Sequence, residues 1–342
     1  MNNKKQIDSG INNPKELMRA IIYGVAVGDA LGFPVQFLDR NVTTRYPVVD
    51  MGTIKNPQGD LKRVEDNLYG IWSDDTSLTL CLTESLAKGF NLRDQAERMR
   101  AWLDEGYFSA REKAFDIGRQ TRIGLGEVRK ILKAGEYEKL GHLIENSSET
   151  ANGNGALMRI LPLLTQTYHL DIMQQLELIT QTSALTHPHM RSVLCCLFYL
   201  RYAERLLDKE DKLLALGKTQ KELRMLMASL VTDEQDRKEL YQLCYCNIGT
   251  LSIDRKDYNE PNYLRSSGYV VHSLEAALWC IVNSNSYEET ILTAVRLGFD
   301  TDTIAAISGG LAAIIYGYDS IPANWLKALK KPELFEQVLT LY

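Results

Sequence analysis

At 342 residues the chain can bury a large core, and length alone sets an expectation of about two domains. Its 45% hydrophobic and 24% charged residues are those of an ordinary globular protein. A net charge of -5 with no long basic stretch argues against nucleic acid as the main partner, and no segment reaches the roughly 18 uninterrupted apolar residues of a membrane span.

The opening MNNKKQIDSGINNPKEL has no apolar run of signal-peptide type. Residues 1–13 are polar and read as a flexible arm, with Pro14 starting the first helix. From there the apolar spacing is mostly helical. Leu78, Leu82 and Leu86 repeat every four residues, and further helices are predicted over 93–104, 126–134, 171–182, 189–207, 220–230, 235–247, 271–283 and 287–297. Ile304, Ile307, Leu311, Ile314 and Ile315 keep the same period, and a last helix is predicted over 333–341. Alternating, strand-like segments are nearly absent, so the fold class is all-α. Residues 208–238 are charge-rich and read as a peripheral helical excursion on a domain spanning 14–342. Six cysteines (Cys81, Cys195, Cys196, Cys244, Cys246 and Cys280) mostly lie in apolar helical patterns. They read as buried free thiols of a cytoplasmic protein, and the 244–246 pair lacks zinc-site spacing.

Two acidic clusters stand out. Ser73, Asp74, Asp75 and Thr76 precede one amphipathic helix, and Asp300, Thr301, Asp302 and Thr303 precede another near the end of the chain. One such cluster reads as helix capping, since Ser and Asp accept bonds from first-turn amides. Two of them brought together make four carboxylates that repel each other. Two divalent cations would balance that charge, and all-oxygen ligands suit Mg²⁺, Mn²⁺ or Ca²⁺ better than zinc. An EF-hand starting at Asp300 fails at Ile304 and Ala305, and a DDxxD site starting at Asp74 fails at Leu78. The DTDT stretch also resembles the DxDxT of haloacid-dehalogenase-type phosphatases, but a helical pattern precedes it where that motif needs a strand.

Six stretches carry a family resemblance: GVAVGDALGFPVQF (24–37), SDDTSLTL (73–80), GNGALMRILPL (153–163), THPH (186–189), SGYVVHSLEAALW (267–279) and GFDTDTIAAISGGLAAIIYG (298–317). In this order, over about residues 15–320, the chain resembles the ADP-ribosylglycohydrolases. The resemblance implies a compact single-domain orthogonal helical bundle with a binuclear Mg²⁺ or Mn²⁺ centre at the base of an ADP-ribose cleft. Carried over position by position, the metal ligands are Ser73, Asp74, Asp75, Asp300, Asp302 and Thr303. Asn152, Gly153, Asn154, Gly155 and Met158 correspond to the substrate loop, His187 to the ribose or phosphate region, and Ser267, Gly268 and Tyr269 to a nucleotide contact. The segment FDIGRQT (115–121) resembles the adenosine side. Gly309 and Gly310 each cost about 1 kcal/mol inside a helix. With Ala305, Ala306, Ala312 and Ala313 they form a small-residue face suited to close packing.

The resemblance further implies hydrolysis of the N-glycosidic bond between ADP-ribose and a protein arginine, reversing a regulatory or toxin-imposed modification. Asp74 and Asp75 are the catalytic candidates, with Asp75 accepting or orienting the proton of the attacking water. Gln36 stands at a position where many members carry a catalytic or gating glutamate, and it cannot take a proton. His272 stands where aspartate is frequent, and Glu149 is a substitute carboxylate to consider. The competing expectation is a non-enzymatic relative that binds and blocks an ADP-ribosyltransferase or its modified target.

Overall fold

The computed structural model describes residues 13–254, 260 and 262–342. The expected arm at 1–13 therefore lies outside the described residues, apart from Asn13. The chain folds as helices in the order α1 Pro14–Gly32, α2 Arg40–Arg45, α3 Asp74–Leu86, α4 Leu92–Glu105, α5 Arg119–Ala134, α6 Leu164–Thr167, α7 Ile172–Ala184 and α8 Met190–Leu207. There follow α9 Lys212–Leu230, α10 Glu234–Glu239, α11 Tyr241–Tyr245, α12 Val270–Val282, α13 Tyr287–Arg296, α14 Thr301–Tyr316, α15 Ala323–Ala328 and α16 Pro332–Leu339. The fold is all-α in class. The one sheet among the described residues is a small antiparallel meander of β1 Val48–Asp50, β2 Thr53–Lys55 and β3 Leu61–Arg63, which the alternation rule passed over because each strand is only three residues long.

One hydrophobic core runs from Leu17 to Leu339, with α1 and α14 at its centre. These two helices meet across a seam of small residues. Gly24, Gly28 and Gly32 recur every four residues along α1, so they share one face. A Cβ on Gly28 would lie 2.1 Å from the Ala305 carbonyl oxygen, and one on Gly309 would lie 2.2 Å from that of Gly24. The small-residue face expected on α14 thus has a matching face on α1. Backbone contact this close replaces the packing that larger side chains would supply, which offsets the poor helix propensity of glycine. The seam is pinned at both ends: Tyr287 donates its hydroxyl to Gly24 O at 2.8 Å, and Thr301 donates to Gly32 O at 2.9 Å. By composition α1 is apolar enough to cross a membrane, yet 89% of its most apolar window is buried inside the protein, as in a core helix.

Several boundaries differ from the periodicity reading. α5 starts at Arg119 rather than 126, and Gly124 in its added turns sits against the Leu185–Thr186 backbone where no Cβ would fit. α9 starts at Lys212 rather than 220, since Asp211 caps its charged first turn through the amides of Leu213 and Leu214. The segment 235–247 divides into α10 and α11. The charged excursion is therefore mostly α9 and α10, and α9 packs Ala215, Leu216 and Leu223 inward against the core. Among the described residues all six cysteines are free, five of them buried.

Candidate active site

The turn after α1 (Gln36 and Phe37), the first turns of α3 and α14, and loops at 116–121, 150–155, 187 and 268 converge on a cleft of about 440 Å³. The first turn of α3 is set by Asp29, a buried acid in the apolar α1. Ser73 N–H donates to its two oxygens at 3.0 and 2.8 Å, and Thr76 adds its N–H at 3.1 Å and its hydroxyl at 2.6 Å. Burial raises the Asp29 carboxyl and these bonds oppose it, leaving it at about 7. With donors on both oxygens, the bonds favour the anion.

Asp75 presents Oδ2 to the Ser73 hydroxyl at 3.1 Å and to that of Thr303 at 3.5 Å, whereas its Oδ1 is buried with no partner. Asp302 likewise has a buried Oδ1 without a partner. One oxygen each from Asp29, Asp75 and Asp302 lies within 4.8 Å of the others. Asp74 and Asp300 lie on the same cleft wall. The two clusters, far apart in the sequence, are brought together. Asp300 does not cap α14; its Oδ2 instead lies 2.5 Å from Asn154 Nδ2, which also donates to Ser273 at 2.8 Å.

Burial is the first cause that holds Asp74, Asp75 and Asp302 well above the carboxylate range. The neighbouring acids are the next: Asp116 and Asp302 act on Asp74, Asp29 and Asp74 on Asp75, and Asp300 and Asp75 on Asp302. An arrangement of buried like charges with unpartnered oxygens pointing inward is unstable as anions and complete around hard cations. The residues therefore fit divalent ions. Asp75 and Asp302 each have an oxygen without a partner, whereas both Asp29 oxygens accept bonds from α3, which makes it the orienter of that helix.

The loop wall is built from glycine and one histidine. Gly153 bridges Tyr269, Asn154 N–H donates to Gly268 O at 3.1 Å, and Val270 N–H donates to Asn152 O at 2.9 Å, so the two loops form one short ladder. A Cβ on Gly155 would lie 2.7 Å from His187 Cε1, so glycine there lets the loop rest on the imidazole. Arg159, fully buried, donates to Thr186 Oγ1 at 2.8 Å, and that oxygen lies 2.9 Å from His187 Nδ1. Thr186 has its own proton left for Nδ1, which assigns the remaining ring proton to Nε2, beside Gly153. Burial, then the Arg159 charge, lowers His187 to about 3, so it is a neutral donor at pH 7.

Of the expected positions, Gln36, Asp74, Asp75, Gly153, Asn154, Gly155, Met158, His187, Gly268, Asp300, Asp302 and Thr303 line the cleft. Ser73 lies just behind it as the α3 cap. Asn152, Ser267 and Tyr269 are not among the lining residues. Asn152 supports the ladder, and exposed Ser267 pairs with His272 Nδ1 at 2.7 Å. The Tyr269 hydroxyl accepts from Arg191 at 3.3 Å and donates to Glu239 at 3.1 Å, while its ring stands edge-on to His272. Burial lowers His272 to about 4, so it adds no charge at pH 7. Glu149 is exposed and held by Arg191 at 2.7 Å, away from the acids.

Two functional residues escaped the sequence reading. Asp29 was readable as a lone acid in an apolar helix, a placement that demands partners. Asp116 lies in the FDIGRQT segment and reaches the cleft with φ of 55°. The Gln36 amide donates to its carboxylate, so the acid absent at 36 has a counterpart at 116.

Fold and site together are an all-α body with an acid cluster beneath a glycine-lined polar cleft. The profile of the ADP-ribosylglycohydrolase family matches residues 11–342; the chain belongs to that family and is a glycohydrolase. It is 30% identical over 312 residues to the ADP-ribosylarginine hydrolase Tri1 of Pseudomonas putida, covering 90% of this chain and 73% of the relative. It is 27% identical to the ADP-ribosyl-[dinitrogen reductase] glycohydrolase of Rhodospirillum rubrum over 90% and 87% of the two chains. A solved structure titled ADP-ribosylglycohydrolase-related protein complex superposes with a TM-score of 0.68 at 27% identity, covering 96% of this chain and 98% of that one.

Proposed function

We propose that the protein removes ADP-ribose from ADP-ribosylated protein, with arginine as the modified residue and two divalent cations, Mg²⁺ or Mn²⁺, as cofactors. The observation that carries this reading is the pair of unpartnered buried oxygens, Asp75 Oδ1 and Asp302 Oδ1, beneath a glycine-lined cleft. The names of the bacterial relatives support the arginine linkage. A cytoplasmic site of action fits the free cysteines.

Asp74, Asp75, Asp300, Asp302, Thr303 and Ser73 would hold the cations. When bound, such ions supply Lewis-acid charge for the ribose hydroxyls and the attacking water. The backbone of the 153–155 loop and the His187 Nε2–H face the diphosphate or ribose, where N–H donors suit anionic oxygens. Cleavage builds positive charge at the sugar carbon, which the surrounding carboxylates favour. We assign Asp116 to accept the proton of the attacking water. Of the six clustered acids it is the one that is only partly buried, and the Gln36 amide orients it. This moves the proton away from Asp75, which has both oxygens engaged once cations are held. The departing guanidine is basic enough to leave with a proton from water.

The decisive measurement is mass spectrometry of an arginine-ADP-ribosylated peptide incubated with the protein and each metal, beside a serine-linked peptide. The reading expects metal-dependent release of ADP-ribose from the arginine peptide, lost in EDTA and in Asp302→Asn. Release unaffected by chelation, or none with any metal, overturns it. The second outcome would favour a protein that binds and blocks a transferase or its target.

A further inference from the structure

Arg159 breaks a strong rule of protein interiors. Its guanidinium is fully buried, in the short 3-10 turn Leu157–Arg159. Nη2 donates to Thr182 O at 3.2 Å and to Thr186 Oγ1 at 2.8 Å, whereas Nε and Nη1 have no partner. No carboxylate balances the charge. The ionisable groups that act on it are the Cys81 and Cys196 thiols, which burial keeps protonated at pH 7. Burial lowers Arg159 itself to about 10, so it stays cationic at pH 7. A buried charge left without a counter-ion is costly, and such breaches of local preference concentrate at working sites.

The guanidinium does not line the cleft, but the residue it supports does. Residues 153–159 hold His187 from two directions. Gly153 and Gly155 rest on the imidazole at their end of the stretch, and Arg159 reaches Thr186 at the other. Thr186 Oγ1 lies 2.9 Å from His187 Nδ1, so the chain of bonds runs from Nη2 through the hydroxyl to the ring. With the guanidinium donating to it, the hydroxyl is committed to donating in turn. Without that donor the hydroxyl is free to accept from Nδ1–H instead, and both ring tautomers become available. The wall formed by Gly153, Gly155 and His187 therefore has an unbalanced cation behind it and a fixed N–H in front. In a water-poor interior such a charge acts at a distance.

We propose that Arg159 is a positioning residue that makes this wall select an anionic group, by locking His187 as an Nε2–H donor and by lending it an uncompensated positive charge. The inference rests on the de-ADP-ribosylation reading, whose substrate carries a diphosphate, and it names the residue that selects for that diphosphate.

The test compares wild type with Arg159→Met, which removes charge and donor, and Arg159→Lys, which keeps both. Calorimetry in Mg²⁺ measures binding of ADP-ribose and of adenosine, its uncharged part. The His187 tautomer is read from ring ¹⁵N shifts of histidine-labelled protein, assigned among the five histidines with His187→Gln. Arg159→Met is expected to bind ADP-ribose about tenfold more weakly than wild type and adenosine within about twofold, with both tautomers populated. Arg159→Lys is expected to stay within about threefold of wild type for ADP-ribose and to keep one tautomer. Should Arg159→Met not fold, Thr186→Val breaks the same chain of bonds at nearly constant volume. It too is expected to mix the tautomers and to weaken ADP-ribose more than adenosine. Equal loss for both ligands would make Arg159 a packing residue and overturn the proposal. A single tautomer or undiminished ADP-ribose affinity in the Met or Val variant overturns it as well, as does a Lys variant as weak as Met. Wild type that binds no ADP-ribose overturns the functional reading itself, a result distinct from binding that ignores Arg159.

Discussion

Asp75 and Asp116 both face the cleft, but they differ in what surrounds them. Asp75 is buried between Ser73 and Thr303 with one oxygen spare, while Asp116 is partly exposed and held by Gln36. The two roles separate by substitution. Asp116→Asn is expected to lower kcat at least a hundredfold with Mn²⁺ affinity unchanged within about threefold, since it removes an acceptor but no designated ligand. Asp75→Asn is expected to lose Mn²⁺ binding and activity together. Titration calorimetry beside initial rates reads both, and loss of Mn²⁺ binding in Asp116→Asn would return Asp116 to the ligand set.

His187 gives a pH signature. Its pKa is lowered to about 3 in the folded protein, from an ordinary value near 6.5, by burial and by Arg159. Between those values the unfolded chain binds a proton that the folded one refuses, so stability falls as pH drops through 6.5 toward 3. The slope is about 1.4 kcal/mol per pH unit within that window. His187→Gln has no such group, so the wild-type minus variant difference in unfolding free energy should decline from pH 7 to pH 4. A difference that stays flat would mean that the folded protein accepts the proton.

At the level of elements, the α1–α14 seam leaves no slack. Gly28→Ala puts a methyl group 2.1 Å from a backbone oxygen that cannot rotate away, so the helices must separate. The expected loss is several kcal/mol, in the range of overpacking and worse. Gly126→Ala is the control: nothing lies within 4 Å of its Cβ, and it should stabilise α5 by about 1 kcal/mol. Denaturant unfolding of the two variants should give shifts of opposite sign.

The same seam shows what could be read from sequence. The helix periods of α7 and α13 are legible because each has one buried face with regular spacing, whereas α3, α8 and α12 are buried on nearly every side and show only in their apolar content. The small residues of α14 announced close packing, but nothing local said that Gly24, Gly28 and Gly32 were their partners. α5 and α9 extend beyond the predicted 126–134 and 220–230 at their N-terminal ends, where the close approach of Gly124 to the 185–186 backbone and the Asp211 cap hold the added turns. Most cleft residues were legible through motifs. Asp116 was not, because an acid in a loop of ordinary composition gives no periodic or capping signal. The ladder between 152–154 and 268–270 is a through-space pairing with no sequence mark.

Across the whole molecule the acid cluster trades stability for binding. Six carboxyl groups, Asp29, Asp74, Asp75, Asp116, Asp300 and Asp302, are held at raised pKa by burial, and for Asp74, Asp75, Asp300 and Asp302 the charge of neighbouring acids adds to it. Removing one like charge relieves that repulsion, so Asp302→Asn should melt above wild type in chelator. Wild type should in turn gain several degrees on addition of Mg²⁺ or Mn²⁺, because a ligand that binds only the folded state stabilises it by mass action. The variant should show a much smaller gain. Thermal melts with and without metal test both expectations, and an Asp302→Asn protein that melts lower in chelator would show that the carboxylate is satisfied without an ion.

Asp29 and Asp302 stand nearly a full chain length apart, and the glycine seam is what makes them neighbours. During synthesis the α1 face must therefore wait, oily and unpaired, until the ribosome has released most of the polypeptide. Contacts of such long range close slowly, because the entropy of a long loop is lost before any contact rewards it. The acid-lined floor of the cleft is thus among the last parts to exist, since a nascent chain that stops short of α14 lacks Asp300, Asp302 and Thr303.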